Sequence, residues 1–97
     1  MAERGEFSLH EIGTQGLSWQ SAIAETLTHQ GELQSLLAHN VENDLLFIGC
    51  GSTHYLAQFA APYFQRVTGR RCRGIPSSEI YLQTDTLVAR NERPLIV

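Results

Sequence analysis

Apolar residues recur at helical spacing through the first third of the chain. Trp19, Ile23 and Leu27, then Leu33 and Leu37, fall on one stripe, with Ala22 and Leu36 beside it. Gln15, Gln20, Glu25, Thr28 and Glu32 lie mostly off that stripe. The pattern predicts a helix over 17–40, with Trp19 opening its body and Ser18 as its cap. Gly31 weakens such a helix by about 1 kcal/mol relative to alanine and marks a place for a break. Residues 1–16 hold Gly5, Gly13 and Gly16 and little periodicity, and read as a flexible leader.

After the polar turn Glu42-Asn43-Asp44 the pattern changes. Residues 45–48 are apolar on both faces, as in a parallel strand covered on both sides. From 53 to 68, Leu56, Ala60, Phe64 and Val67 form one helical face. Ala57, Phe59, Ala61 and Tyr63 widen it, which predicts a well-buried helix. Pro62 removes one backbone bond there and should bend the helix, and Gly69 should stop it. A short strand follows over 71–75. Pro76-Ser77-Ser78-Glu79 then reads as a turn into a short helix reaching Leu82, capped by Ser77 or Ser78. Residues 84–91 carry no clear pattern, and 94–97 begin a third strand. This alternation predicts an α/β fold with a parallel sheet. A parallel sheet of three strands leaves a buried edge without a partner. Residues 41–97 therefore read as the first part of a larger α/β domain, cut at its third strand.

Composition narrows the field. At 97 residues the chain makes at most one small domain. Its 42% hydrophobic and 18% charged residues fit a globular protein rather than a disordered one. The net charge of −3 argues against nucleic acid as the main partner. The longest apolar run is far short of a membrane span, and the charged start is no secretory signal, so the cytoplasm is the expected location. All seven basic residues are arginine. Schiff-base chemistry or a Walker-type phosphate loop therefore finds no lysine here. A disulfide between Cys50 and Cys72 requires their strands to be neighbours; in a cytosolic chain both are expected to be reduced and buried. No Cys/His spacing points to a metal site.

The candidate chemistry sits where the first strand meets the next helix, at Gly49-Cys50-Gly51-Ser52-Thr53-His54. Glycines let the backbone approach an anion, and a helix N-terminus offers unpaired N–H groups with positive partial charge. A dinucleotide fingerprint would need glycine where His54 stands, and an acid where the second strand ends at Ile75-Pro76. What remains is a compact turn suited to a single phosphate monoester, with the hydroxyls of Ser52 and Thr53 as donors. The plainer reading is a tight turn with Ser52 as helix cap. Ser78 and Glu79 should open onto the same sheet edge. Ser77 and Ser78 can equally be ordinary caps, and Glu79 either a first-turn acid or a tie to the first loop. His54 can serve as acid or base at a sugar carbon, or simply fill the first helical turn. His10, His29 and His39 read as surface residues. Arg66, Arg70, Arg71 and Arg73 read as a solvated cluster complementing a helix C-terminus, with an anion patch as the other reading.

Together these residues resemble a known family. Phe47-Ile48-Gly49-Cys50-Gly51-Ser52-Thr53 is similar to the opening of a sugar isomerase (SIS) domain. Val67-Thr68-Gly69, Cys72 and Ser78-Glu79 are similar to its next landmarks, and Glu11-Ile12-x-x-Gln15-x-x-x-Trp19 resembles the leader of the tandem-SIS group. That group includes AgaS-type sugar-phosphate isomerases and deaminases and the isomerase half of glutamine–fructose-6-phosphate aminotransferase. Gly16 replaces the usual proline of the leader, while Ala60-Ala61-Pro62-Tyr63 resembles the AgaS-type branch.

The resemblance implies a partial flavodoxin-like three-layer sandwich preceded by a helix. It also implies a phosphosugar site that includes Gly51, Ser52, Thr53, Ser78 and Glu79. By the same resemblance the parent would be an aldose–ketose isomerase or deaminase acting on a sugar or amino-sugar phosphate, homodimeric, with no metal or redox cofactor. The alternative is a non-catalytic module that senses a sugar phosphate and regulates a partner. The family's main phosphate loop would begin just after Val97, and its catalytic residues come from a second SIS domain. This stretch is therefore expected to be inactive alone.

Overall fold

A computed structural model of the protein describes residues 3–97. The chain divides into two compact units, the first ending at Ala38 and the second spanning His39–Val97.

The first unit is helical. α1 runs over Glu6–Thr28, and α2, Gln30–His39, carries the chain into the second unit. The expected flexible leader 1–16 is thus corrected: from Glu6 onward it is helix, and Met1 and Ala2 lie outside the described residues. Gly13 and Gly16 each weaken a helix by about 1 kcal/mol, which a helix already nucleated on both sides can absorb. Gly5, at φ 90°, precedes the first turn, and the Glu6 carboxylate accepts the Glu3 N–H at 3.1 Å. Ser18 does not cap. It sits mid-helix, and its hydroxyl donates to the Thr14 carbonyl at 3.4 Å. The break falls at His29 rather than Gly31; the His29 N–H still donates to the Glu25 carbonyl at 3.1 Å.

The second unit is built on a sheet of order β2-β1-β3, with every pairing parallel. β1 is Leu45–Gly49, β2 is Cys72–Pro76 and β3 is Leu95–Ile96. Leu45 pairs with Cys72 on one side and with Leu95 on the other, so β1 is central. α3, Ser52–Thr68, packs on β1 and β2, and α4, Ser77–Leu87, follows β2 directly. The core comprises Leu45, Leu46, Ala57, Ala61, Cys72 and Ile75. The α/β class and parallel sheet expected from the sequence are present, in a form compatible with part of a flavodoxin-like sandwich.

Two glycines set how closely α3 lies on the sheet. A Cβ on Gly49 would stand 2.5 Å from the Thr53 carbonyl carbon, and one on Gly74 would stand 2.7 Å from the Ala57 carbonyl oxygen. The helix therefore rests backbone to backbone on the strands, with small Ala57 and Ala61 turned inward. This narrows its buried face. Leu56, Phe59, Tyr63 and Val67 stay more than half exposed, which corrects the expected well-buried helix. Phe64 reaches the sheet, its ring 5.8 Å from that of Phe47. Helix geometry is continuous across Pro62, and Gly69 ends α3 at φ 73° with its N–H on the Gln65 carbonyl at 2.8 Å.

The α4 caps also differ from expectation. Pro76 occupies the cap position, and Ser77 and Ser78 stand in the first turn without side-chain cap bonds. Gln83, at φ −140° and ψ 43°, interrupts the helix just after Leu82, where the sequence pattern fades. The arginine cluster is not merely solvated. Arg70 donates to the Asn40 and Asn43 carbonyls, Arg71 pairs with Asp44 at 2.6 Å, and Arg73 donates to the Leu87 carbonyl at 3.0 Å. Asp44 holds the Arg71 guanidinium above its ordinary pKa, first through their hydrogen bond and then through charge. These long side chains fasten the loop before β1 and the end of α4 to the start of β2.

Candidate functional site

The pairing of β1 with β2 ends in register, with Gly49 opposite Pro76. The two loops that follow therefore leave the same edge of the sheet side by side. One carries Gly51, Ser52 and Thr53 into α3, and the other carries Ser77, Ser78 and Glu79 into α4. The sequence-predicted residues are thus brought to one edge by strand register alone. In open α/β sheets this carboxyl edge is where ligands bind.

The first loop is tightly wound. Gly51 adopts φ 57° and ψ −127°, a conformation that a side chain would strain. The Thr53 N–H donates to the Cys50 carbonyl at 3.2 Å, and the His54 N–H to the Gly51 carbonyl at 3.1 Å. The Thr53 hydroxyl accepts the Cys50 N–H at 2.9 Å and donates to the Cys50 carbonyl at 2.7 Å. Thr53 therefore ties the loop together, and its hydroxyl faces its own backbone. First-turn N–H groups have no intrahelical carbonyl to reach. With Thr53 and His54 taken by the turn, the amides of Gly51 and Ser52 donate no hydrogen bond among the described residues, and both residues are exposed. Ser52 makes no side-chain cap bond, since Gly51 holds the cap position.

The second loop contributes less. Ser77 is half-buried, whereas Ser78 and Glu79 are exposed in the first turn of α4. An acid there is stabilised by the helix dipole. His54 is half-buried at the start of α3, its ring 5.9 Å from that of Tyr55, and its Nδ1 is buried without a hydrogen-bond partner.

The cysteines separate. Cys50 is exposed, against the expectation of burial, because the chain leaves the sheet at Gly49; Cys72 is buried. They stand at opposite ends of adjacent parallel strands, roughly 15 Å apart at about 3.3 Å per residue, far beyond disulfide reach. Burial pushes the Cys72 thiol above its ordinary pKa, with Arg70 opposing.

Two features escaped the sequence reading. Gly49 belongs to the packing of α3 rather than to the anion turn, and only the Thr53 backbone position reveals this. An apolar groove lined by Phe47, Ile48, Leu56, Ala60 and Val97 lies beside the first loop. It forms because the Ile48 N–H donates to the Val97 carbonyl at 2.9 Å, a contact between residues far apart in the chain that no local pattern encodes. A second groove, lined by Gln65, Arg71, Cys72, Arg73, Leu87 and Glu92, lies toward the opposite end of β2, and its arginines are already paired.

Among the described residues no group of three or more His, Cys, Asp or Glu is placed to hold a metal ion, and no helix is long and apolar enough to cross a membrane. No family model, curated protein or solved structure matches the chain.

Proposed function

We propose that the edge beyond β1 and β2 binds the phosphate of a sugar phosphate. The observation that carries the reading is the pair of unbonded amides at Gly51 and Ser52, in an exposed, Thr53-tied turn at the N-terminus of α3. Such a terminus combines convergent donors with positive partial charge. The Ser52 hydroxyl adds a third donor. Ser78 and Glu79 follow the strand paired with β1 and leave the same sheet edge, which supports a role for them toward the sugar hydroxyls. A carboxylate suits hydroxyl donors, as it is an acceptor only.

The reaction class that fits is aldose–ketose isomerisation or deamination of a phosphorylated sugar or amino sugar. The chemistry moves a proton between adjacent carbons through an enediol or enamine. The described residues would anchor the phosphate, and positioning of this kind is a large part of the rate enhancement in such reactions. Acid–base groups would be supplied outside residues 3–97.

Amide NMR titration tests the reading. Fructose 6-phosphate should shift the Gly51 and Ser52 resonances, while fructose alone should not. Ser52→Asp, which sets a negative charge among the donors, should abolish the shifts. Perturbation confined to the arginines around β2, or none at all, would remove the proposal.

A further inference from the structure

We propose that Gln65 guards the outer edge of the sheet: its carboxamide holds the Cys72 N–H where the carbonyl of an added strand would bind, and so keeps another chain from extending the sheet past β2. β2 stands at one end of the order β2-β1-β3, so only one of its sides is paired. The register decides which backbone groups face outward. Leu45 is the partner of Cys72, and its N–H donates to the Arg71 carbonyl at 3.0 Å. In a parallel ladder a residue bonds to the two that flank its partner. Arg71, Arg73 and Ile75 therefore turn their backbone groups to β1, and Cys72, Gly74 and Pro76 turn theirs away.

Side chains close most of that outward row. Gln65 stands in the last turn of α3, and its Oε1 accepts the Cys72 N–H at 3.0 Å. Pro76 has no N–H to offer. Just before the strand, the Arg70 N–H donates to the Thr68 hydroxyl at 3.2 Å, and the Arg70 carbonyl accepts the Cys72 thiol at 3.3 Å. Among the described residues, Gly74 alone keeps an outward N–H of β2 that no side chain covers. One donor does not make a ladder, since an added strand needs alternate residues to bond in turn.

Lack of space does not protect this edge. A groove of about 570 Å³ runs beside it, lined by Ala61, Pro62, Gln65, Arg66, Cys72 and Gly74. An extended backbone has room there, and an open edge is a template for pairing with another chain. The bond from Gln65 removes the donor at which such pairing would begin. Exposed Arg66 sets a charge beside the groove, which further deters pairing of like chains. The opposite edge lacks this device. Leu95 and Val97 bond to β1, so Ile96 faces away, and no side chain bonds its backbone among the described residues.

Gln65→Met on the full chain is the test, because methionine keeps the length and helix propensity of glutamine and removes the acceptor. Gln65 is exposed, so the core is untouched. In amide exchange by NMR, the Cys72 N–H should exchange about tenfold faster, as for the loss of one ordinary hydrogen bond, while Phe47 inside the ladder keeps its rate. In sedimentation velocity with a reductant present, Gln65→Met should form larger species at concentrations where the parent chain does not. Within those species the Cys72 and Gly74 amides should become protected, and Ile96 should be unchanged. Gln65→Glu keeps a carboxyl oxygen for the Cys72 N–H and should behave as the parent. A variant that melts earlier with neither faster Cys72 exchange nor association would show a plain tie between α3 and β2 and overturn the proposal. Association that protects Ile96 instead of Gly74, or that Gln65→Glu shares, would overturn it as well.

Discussion

Residues 3–38 and 39–97 use similar apolar content to opposite effect. The second unit contains every buried core residue of the described chain, and α1 contains none. The difference is topological. A parallel sheet brings Leu45 against Cys72 and Leu95, residues distant in sequence, and a single helix lid then encloses them. A helix with one apolar stripe has no such closure within itself and exposes its stripe until another surface meets it. The charges divide along the same line. The acidic residues outnumber arginine in the first unit, whereas the second has six arginines and five carboxylates, and Arg70, Arg71 and Arg73 tie its loops down.

The largest test of this contrast is a paired truncation. Leu46 is fully buried on the central strand, so Leu46→Ala should cost about 2–5 kcal/mol and unfold the sheet unit in denaturant titration. Leu17→Ala, on exposed helix surface, should change stability by no more than about 0.5 kcal/mol. Glycine gives the next contrast, with opposite signs. Gly74→Ala presses a methyl into the Ala57 carbonyl and should destabilise by about 1–3 kcal/mol. Gly13→Ala meets open space on a helix and should stabilise by up to about 1 kcal/mol in a thermal melt.

Within the sheet unit, the two cysteines should differ in iodoacetamide labelling followed by mass spectrometry: Cys50 should react first and Cys72 only after denaturant is added. The Cys72 thiol keeps its proton to higher pH when folded than when unfolded. Its contribution to stability is therefore complete below the ordinary thiol pKa, about 8.5, and declines as pH rises through the folded value. Cys72→Ala should flatten that alkaline decline. The smallest effect belongs to Arg71→Ala. Its pair with Asp44 is short, but the side chain is 68% exposed, so in a thermal melt the loss should be the smallest of these and shrink with salt.

The sheet was legible because β1 is a continuous apolar run bounded by a polar turn and by glycine, and both bounds are local. Gly69 was legible for the same reason, as was the fading of α4 after Leu82. The start of α1 was not, since Gly13 and Gly16 read locally as helix breakers although the helix runs through both. The narrow burial of α3 was not legible either. Its apolar arc spans more than one face, and only the backbone contacts at Gly49 and Gly74 decide which part is covered. At the candidate site, the sequence located a tight strand-to-helix turn at Gly51 and Ser52 and missed that Thr53 turns its hydroxyl inward. It also read the arginines as a solvated cluster, whereas three of them reach across gaps in sequence to specific carbonyls and to Asp44.

The contacts of α3 at Gly49 and Gly74 touch the helix at Thr53 and Ala57, one turn apart. Two neighbouring points of support make a fulcrum. A larger side chain at Ala61, farther along the same buried face, would push the far end of the helix outward and rock the near end about that fulcrum. The turn at Gly51 and Ser52 would then move although no residue in it had changed. The precision of the proposed phosphate cradle is in this sense set from beneath the helix, by the absence of two side chains, and tuning it would begin at Ala61 rather than at the loop.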